Sequence, residues 1–364
     1  MVDKTTALAP KEPIRHIVFS RGESMPSPFP NAPHSIRGKT QCLVHESQCL
    51  KNNFWNDPHV RDVWIHLPHG YDHTKSYPLI VLLPAFAGTG EGLIARSLTD
   101  VSLFHRIDQW IAQETCAPFI CMLPDCMTYL GGSQFLDSPA IGNYAQYMTK
   151  ELIPFVKKQY SISNTAIMGH SSGGYGALHL AMSNPGLFSA AACHAGDMGF
   201  SNAYSSDLLP AIMAIHQAGG PKTFLEGFWK KRRFAPSEFS AFNMLCMSAA
   251  YDPNVNNEDF PANLPFDYKK GIIDFDRFRL WERFDPLTLI EEPKNQESLK
   301  KLEYLYIECG TQDEYLLAFG ARRFSQKLQH YNVPHTYTEF EGGHRGGSLR
   351  FVHSIPQLVQ ACSS

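Results

Sequence analysis

Gly169-His170-Ser171-Ser172-Gly173 sets a serine between two glycines, inside the longer run IMGHSSGGYGALHLAM. G-x-S-x-G spacing suits a nucleophile only where a strand ends directly before it and a helix starts directly after. The hydroxyl must stand on a sharp, strained turn above the end of a sheet. TAIM reads as that strand, and GGYGALHLAMSNP as a helix stopping before Pro185. Glycines two residues either side of the serine remove side chains that would collide across the turn. Register therefore selects Ser171, because a nucleophile at Ser172 would put His170 where bulk is not tolerated. Ser172 then serves differently, since the backbone N–H after the nucleophile points at the developing oxyanion.

A serine hydroxyl needs a base and an orienting acid, and on such a turn they follow in the order serine, acid, histidine. The strand-like run LEYLYIECG leads into Gly310-Thr311-Gln312-Asp313-Glu314-Tyr315, and HTYTEF leads into Glu341-Gly342-Gly343-His344. Asp313 and His344 thus leave neighbouring strand ends and would meet Ser171 above the sheet. Glu314 and the more distant Asp285 are the rival acids. His170 adjoins the serine, and His194 precedes any acid in chain order. The second oxyanion donor is expected where LIVLL runs into Pro84-Ala85-Phe86-Ala87-Gly88, at the N–H of Phe86 or, alternatively, Ala87.

Strand-like runs fall at residues 62–67, 79–83, 119–123, 166–168, 190–194, 304–308 and 336–340, with helical patterns at 102–115, 144–159, 174–183 and 317–330. Short, nearly continuous apolar strands separated by helices specify an α/β fold with a mostly parallel central sheet covered on both faces. Residues 1–40, rich in Pro, Ser and charge, read as an extended N-terminal arm, and residues 41–364 as one domain. Between about 199 and 293 no core strand appears, and aromatics, prolines and charges mix, so this interval reads as a cap-like insertion. Its aromatics, among them Phe224, Phe228, Trp229, Phe234, Phe242, Trp281 and Phe284, either face an apolar substrate group or pack the cap's own core.

The 364 residues are 43% hydrophobic and 18% charged with net charge -3, so no basic field points to nucleic acid or an anionic membrane. Lys230–Arg233 is a basic run too short to change that and reads as a solvated helix face. The N-terminus lacks a signal-peptide pattern, and nine scattered cysteines read as reduced core thiols, so the expected location is cytoplasmic. Cys116, Cys121 and Cys126 lack the paired spacing of a zinc site. His66, His69 and His73 read as exposed loop histidines at a strand exit. No metal and no organic cofactor are expected. The expected partner is a small-molecule ester, with homo-oligomerisation left open.

LKNNFWNDPHVRDVWIHLPHGYD, YPLIVLLPAFAGTGEG, LPDCMTYLGGSQFLDSPAIGNY, GHSSGGYGALHLAM, CHAGDM, CGTQDEY and FEGGH together resemble the esterase D and enterochelin-esterase-like branch of the α/β-hydrolases. That branch also contains S-formylglutathione hydrolases, feruloyl esterases and bacterial mycolyltransferases. The similarity spans roughly residues 45 to 360. It implies an α/β-hydrolase fold and a serine esterase with nucleophile Ser171, acid Asp313, base His344, and oxyanion donors at Ser172 and the Phe86 region. Members often carry His-Gly where this chain has Pro84-Ala85, and a proline offers no N–H. Ser133, Gln134 and Asn143 lie in the counterpart of the family's rim loop, where they either touch substrate or hold the loop. Ala87 and His170 join them as candidate substrate contacts. The reaction expected is cleavage of an ester or thioester through an acyl-enzyme. The alternatives are acyl transfer from that intermediate and a catalytically silent hydrolase fold used for binding.

Overall fold

A computed structural model describes residues 14–15, 37–95 and 101–363. Among the described residues nine strands form the central sheet: β1 (Ile14–Arg15), β2 (Lys39–Glu46), β3 (Val60–Leu67), β4 (Tyr77–Leu83), β5 (Ile120–Pro124), β6 (Ile162–His170), β7 (Ala190–His194), β8 (Tyr304–Gly310) and β9 (Thr336–Phe340). Their spatial order is β1-β2-β3-β5-β4-β6-β7-β8-β9. The pairs from β1 to β5 are antiparallel, and all pairs from β5 through β4 to β9 are parallel.

Period-two alternation explains why the inner strands read as unbroken apolar runs. Leu79, Val81 and Leu83 enter the core on one face of the sheet with Ile120, Met122 and Ile167. Ile80 and Leu82 enter the other with Cys121, Leu123 and Met168. Both faces are covered, so a polar side chain on these strands is costly unless it is hydrogen-bonded. Helices α1 (Leu103–Ala112), α2 (Ser172–Ser183), α6 (Leu317–His330) and α7 (Ile355–Ala361) are among those flanking the sheet, while α3 (Ser205–Ala218), α4 (Pro221–Phe228) and α5 (Pro236–Tyr251) lie between β7 and β8.

Most of the arm expected over residues 1–40 lies outside the described residues. Strand β2 begins at Lys39, where no strand is expected from the sequence. KTQCLVHE gives a weak pattern because it lies in the antiparallel, outer part of the sheet, where only Gln41, Cys42 and Leu43 are buried. Between residues 199 and 293 no segment joins the central sheet. The short strands there, Phe266–Asp267 and Ile272–Ile273, pair only with each other. Its aromatics stack among themselves, with Phe228 at 4.0 Å from Phe234 and 4.2 Å from Phe242. His66 also differs from expectation. It is buried on β3, with Nε2 2.8 Å from Asp108 Oδ1 and its ring stacked on Phe104.

Candidate active site

Ser171 stands between β6 and α2 at φ 59° and ψ -128°, a left-handed-side conformation that a side chain rarely adopts. Its N–H donates to the His194 carbonyl at 2.9 Å, and its own carbonyl accepts from Tyr175 N–H at 2.9 Å. The flanking glycines are required sterically. A Cβ on Gly169 would stand 2.4 Å from the Gly173 carbonyl oxygen, and one on Gly173 2.4 Å from that of Leu83. The turn can close this tightly only with both positions bare.

Parallel strands β8 and β9 deliver the other two groups to the same sheet edge. Ser171 Oγ lies 3.0 Å from His344 Nε2, and His344 Nδ1 lies 2.8 Å from Asp313 Oδ2. The Asp313 side chain has no solvent exposure, and that of His344 has 11%. Asp313 Oδ1 accepts from the N–H of Tyr315 at 3.0 Å, which fixes the carboxylate plane. The rival acid Glu314 serves the backbone instead: its Oε2 accepts the His344 N–H at 2.7 Å, and that contact holds its carboxyl below the usual range. Asp285 caps a turn, accepting N–H groups of Gly199, Phe200 and Leu287. His194 is buried between Glu308 and Ser354.

A cavity of about 280 Å³ opens above Ser171 and His344. Ala85 and Phe86 line it from the loop after β4, and Ala203, Tyr204, Phe239 and Asn243 line it from the insertion. Of the two candidate second donors, Ala87 gives its N–H to Gly131 O at 2.8 Å and does not reach the cavity wall. Among the described residues no backbone acceptor takes the N–H of Phe86. Ser172 opens α2, where first-turn N–H groups have no acceptor within the helix. Phe86 thus lines the same space as Ser171 despite the proline at 84, whereas Ser172, directly after Ser171, is buried and is not itself on the cavity wall.

The candidate substrate contacts divide. His170 lines the cavity with its ring 4.5 Å from that of His344, and burial, then the neighbouring His344 charge, pushes its pKa down to about 3. Ser133, Gln134, Asn143 and Ala87 are not on the wall. Gln134 is fully buried: its Oε1 accepts the Ser172 hydroxyl, and its Nε2 donates to Tyr251 Oη at 2.9 Å and Asp197 Oδ2 at 3.1 Å. Ser133 Oγ accepts the Phe135 N–H, and Asn143 is exposed on a short hairpin. Gln134 and Ser133 thus spend polar atoms on hydrogen bonds within the protein, and Asn143 lies away from the cavity. Sequence reasoning missed Asp197, Tyr204 and Asn243. They carry no spacing signal, since the wall they form is assembled from separate segments.

Among the described residues no group of histidine, cysteine and acidic side chains is arranged to hold a metal ion, and no helix is long and apolar enough to cross a membrane.

The family model described as "Putative esterase" matches residues 58–361. No curated protein matches by sequence. Among solved structures, a ferulic acid esterase superposes with a TM-score of 0.57 at 15% identity, covering 90% of this chain and 99% of its own. An S-formylglutathione hydrolase from Agrobacterium tumefaciens gives 0.54 at 16%, covering 90% and 97%. The fluorophosphonate-binding serine hydrolase F of Staphylococcus aureus gives 0.53 at 15%, covering 90% and 99%. At such identities the likeness is one of fold. The family match extends over most of the chain and over every strand from β3 to β9, and on that ground the chain belongs to this esterase family, carboxylesterase-type hydrolases built on the α/β-hydrolase fold.

Proposed function

We propose that the protein cleaves a carboxylic ester or thioester through an acyl-enzyme on Ser171. The observation that carries this reading is the hydrogen-bonded chain from Ser171 Oγ through His344 to Asp313. Asp313 accepts a proton-bearing Nδ1, which leaves the Nε2 lone pair facing Oγ. His344 takes the Ser171 proton as Oγ attacks the carbonyl carbon, and the carbonyl π electrons move to oxygen. The N–H groups of Ser172 and Phe86 hold that oxyanion. Its collapse breaks the bond to the alcohol or thiol, which leaves with the proton from His344. Water then gives a proton to His344, attacks the acyl carbon, and the second collapse releases the carboxylic acid and restores Ser171.

The quoted motifs support a place in the esterase D-like branch. All nine cysteines are free thiols, eight of them buried, which supports a reducing, cytoplasmic setting. Turnover of p-nitrophenyl esters from acetate to decanoate tests the function. Ser171→Ala should lower kcat by about three orders of magnitude or more. Ser172→Ala removes only the hydroxyl bonded to Gln134, keeps the backbone donor, and should retain activity within about tenfold. Undiminished turnover by Ser171→Ala would refute the assignment.

A further inference from the structure

Asp197 is 8% exposed and lines the cavity beside Ser171. Its Oδ2 accepts from Gln134 Nε2 at 3.1 Å and from Tyr204 Oη at 3.0 Å. Among the described residues Oδ1 meets no hydrogen-bond donor, and no basic side chain forms a salt bridge with the carboxylate, the charge of His344 acting on it only at longer range. Burial pushes its pKa up, against the hydrogen bonds from Gln134 and Tyr204. A carboxylate in this position is costly unless something donates to it.

A second acceptor stands on the same wall. Asn243, 9% exposed, gives its amide N–H to Asp207 Oδ2 at 2.8 Å, and Asp207 also accepts from Ser240 Oγ at 2.6 Å. The Asn243 amide oxygen is thereby left without a donor among the described residues. Tyr204 cannot serve, because its hydroxyl proton is directed at Asp197. Arg345, a cationic group on the lining, is exposed. Asp197 Oδ1 and the Asn243 amide oxygen thus place two acceptors without donors on the wall of a cavity of about 280 Å³.

We propose that Asp197 is a specificity-determining residue that receives a hydrogen-bond donor, a hydroxyl or ammonium, carried by the substrate close to its scissile ester. The proposal rests on the esterase reading above. A substrate carrying the donor meets the free Oδ1, whereas an apolar isostere expels water from the cavity and leaves the carboxylate unsolvated. Discrimination comes from both sides of that difference.

Two isosteric pairs separate the side of the ester that carries the donor. On the acyl side, p-nitrophenyl 3-hydroxybutyrate is compared with p-nitrophenyl 3-methylbutyrate. On the alcohol side, 2-hydroxyethyl butyrate is compared with propyl butyrate. The wild type should favour the hydroxylated member of one pair by roughly tenfold to a hundredfold in kcat/KM, the range for a hydrogen bond to a charged group. Asp197→Leu should bring that ratio to within about twofold of one. Asp197→Asn can keep Gln134 and Tyr204 through its amide oxygen, and should reduce the preference to a few-fold even if the leucine variant fails to fold. Equal kcat/KM within both pairs, or a preference that survives in Asp197→Asn at full size, would overturn the proposal while leaving the esterase reading intact. Inertness toward all four esters would instead remove the esterase reading itself.

Discussion

Asp313→Asn changes one atom and asks whether the carboxylate acts through the histidine tautomer. Both carboxylate oxygens of Asp313 are engaged: Oδ1 accepts the Tyr315 N–H at 3.0 Å, and Oδ2 accepts from His344 Nδ1 at 2.8 Å. Asparagine has one acceptor oxygen. The Tyr315 amide can only donate, so it keeps that oxygen and turns the NH2 group toward His344. Nδ1 must then accept, which moves the ring proton to Nε2, 3.0 Å from Ser171 Oγ. A protonated Nε2 cannot take the serine proton. In triads of this kind the swap costs about four orders of magnitude in kcat, or about 5.5 kcal/mol of transition-state stabilisation. Shape and burial are preserved, so KM and the melting temperature should change little. The assay is p-nitrophenyl ester hydrolysis under saturating substrate, with thermal unfolding run beside it. A folded Asp313→Asn enzyme with kcat within tenfold of wild type would show that His344 is oriented by something else, and Glu314, on the His344 backbone, would be the first group to examine.

Burial sets two further outcomes. His170 and His179 have pKa values pushed down, first by burial, to about 3 and about 4, against an ordinary value of 6.5. The unfolded chain therefore binds protons that the folded chain refuses, so stability is complete above pH 6.5 and falls as the pH drops toward 3. The limit is about 1.4 kcal/mol per pH unit for each histidine. Denaturant unfolding between pH 3 and 7 should show this slope and its flattening in His170→Gln; an unchanged slope would mean that His170 already exchanges protons with solvent. Gln134→Leu should lower unfolding stability by about 2–4 kcal/mol, because the buried Ser172 hydroxyl and Asp197 each lose a partner. Gln134 is off the cavity wall, so the acyl-length profile should keep its optimum, and a moved optimum would return it to the substrate contacts.

Local sequence determined the elements that bear the chemistry. Apolar runs marked strands β4 to β8, the alternating TYTEF marked β9, and Gly169 and Gly173 set the turn at Ser171, because these signals arise from neighbours within a few residues. Chain order then limited the acid and base to a few positions after β8 and β9. What it left open was decided by packing between distant segments. Asp313 and Glu314 are adjacent and both acidic, yet only one faces the imidazole, because the loop turns Asp313 inward against the Tyr315 amide. Sequence puts Phe86 first and Ala87 second as the further donor, and only the fold shows that Gly131 takes the Ala87 N–H. Gln134, at the expected rim, is drawn inward by Ser172, Asp197 and Tyr251, none of them near it in the chain. Asp197 and Asn243 become a cavity wall only when the insertion folds back over the sheet edge. A side chain's partners in three dimensions are set by which surfaces must be buried together, and no short window of sequence contains that information.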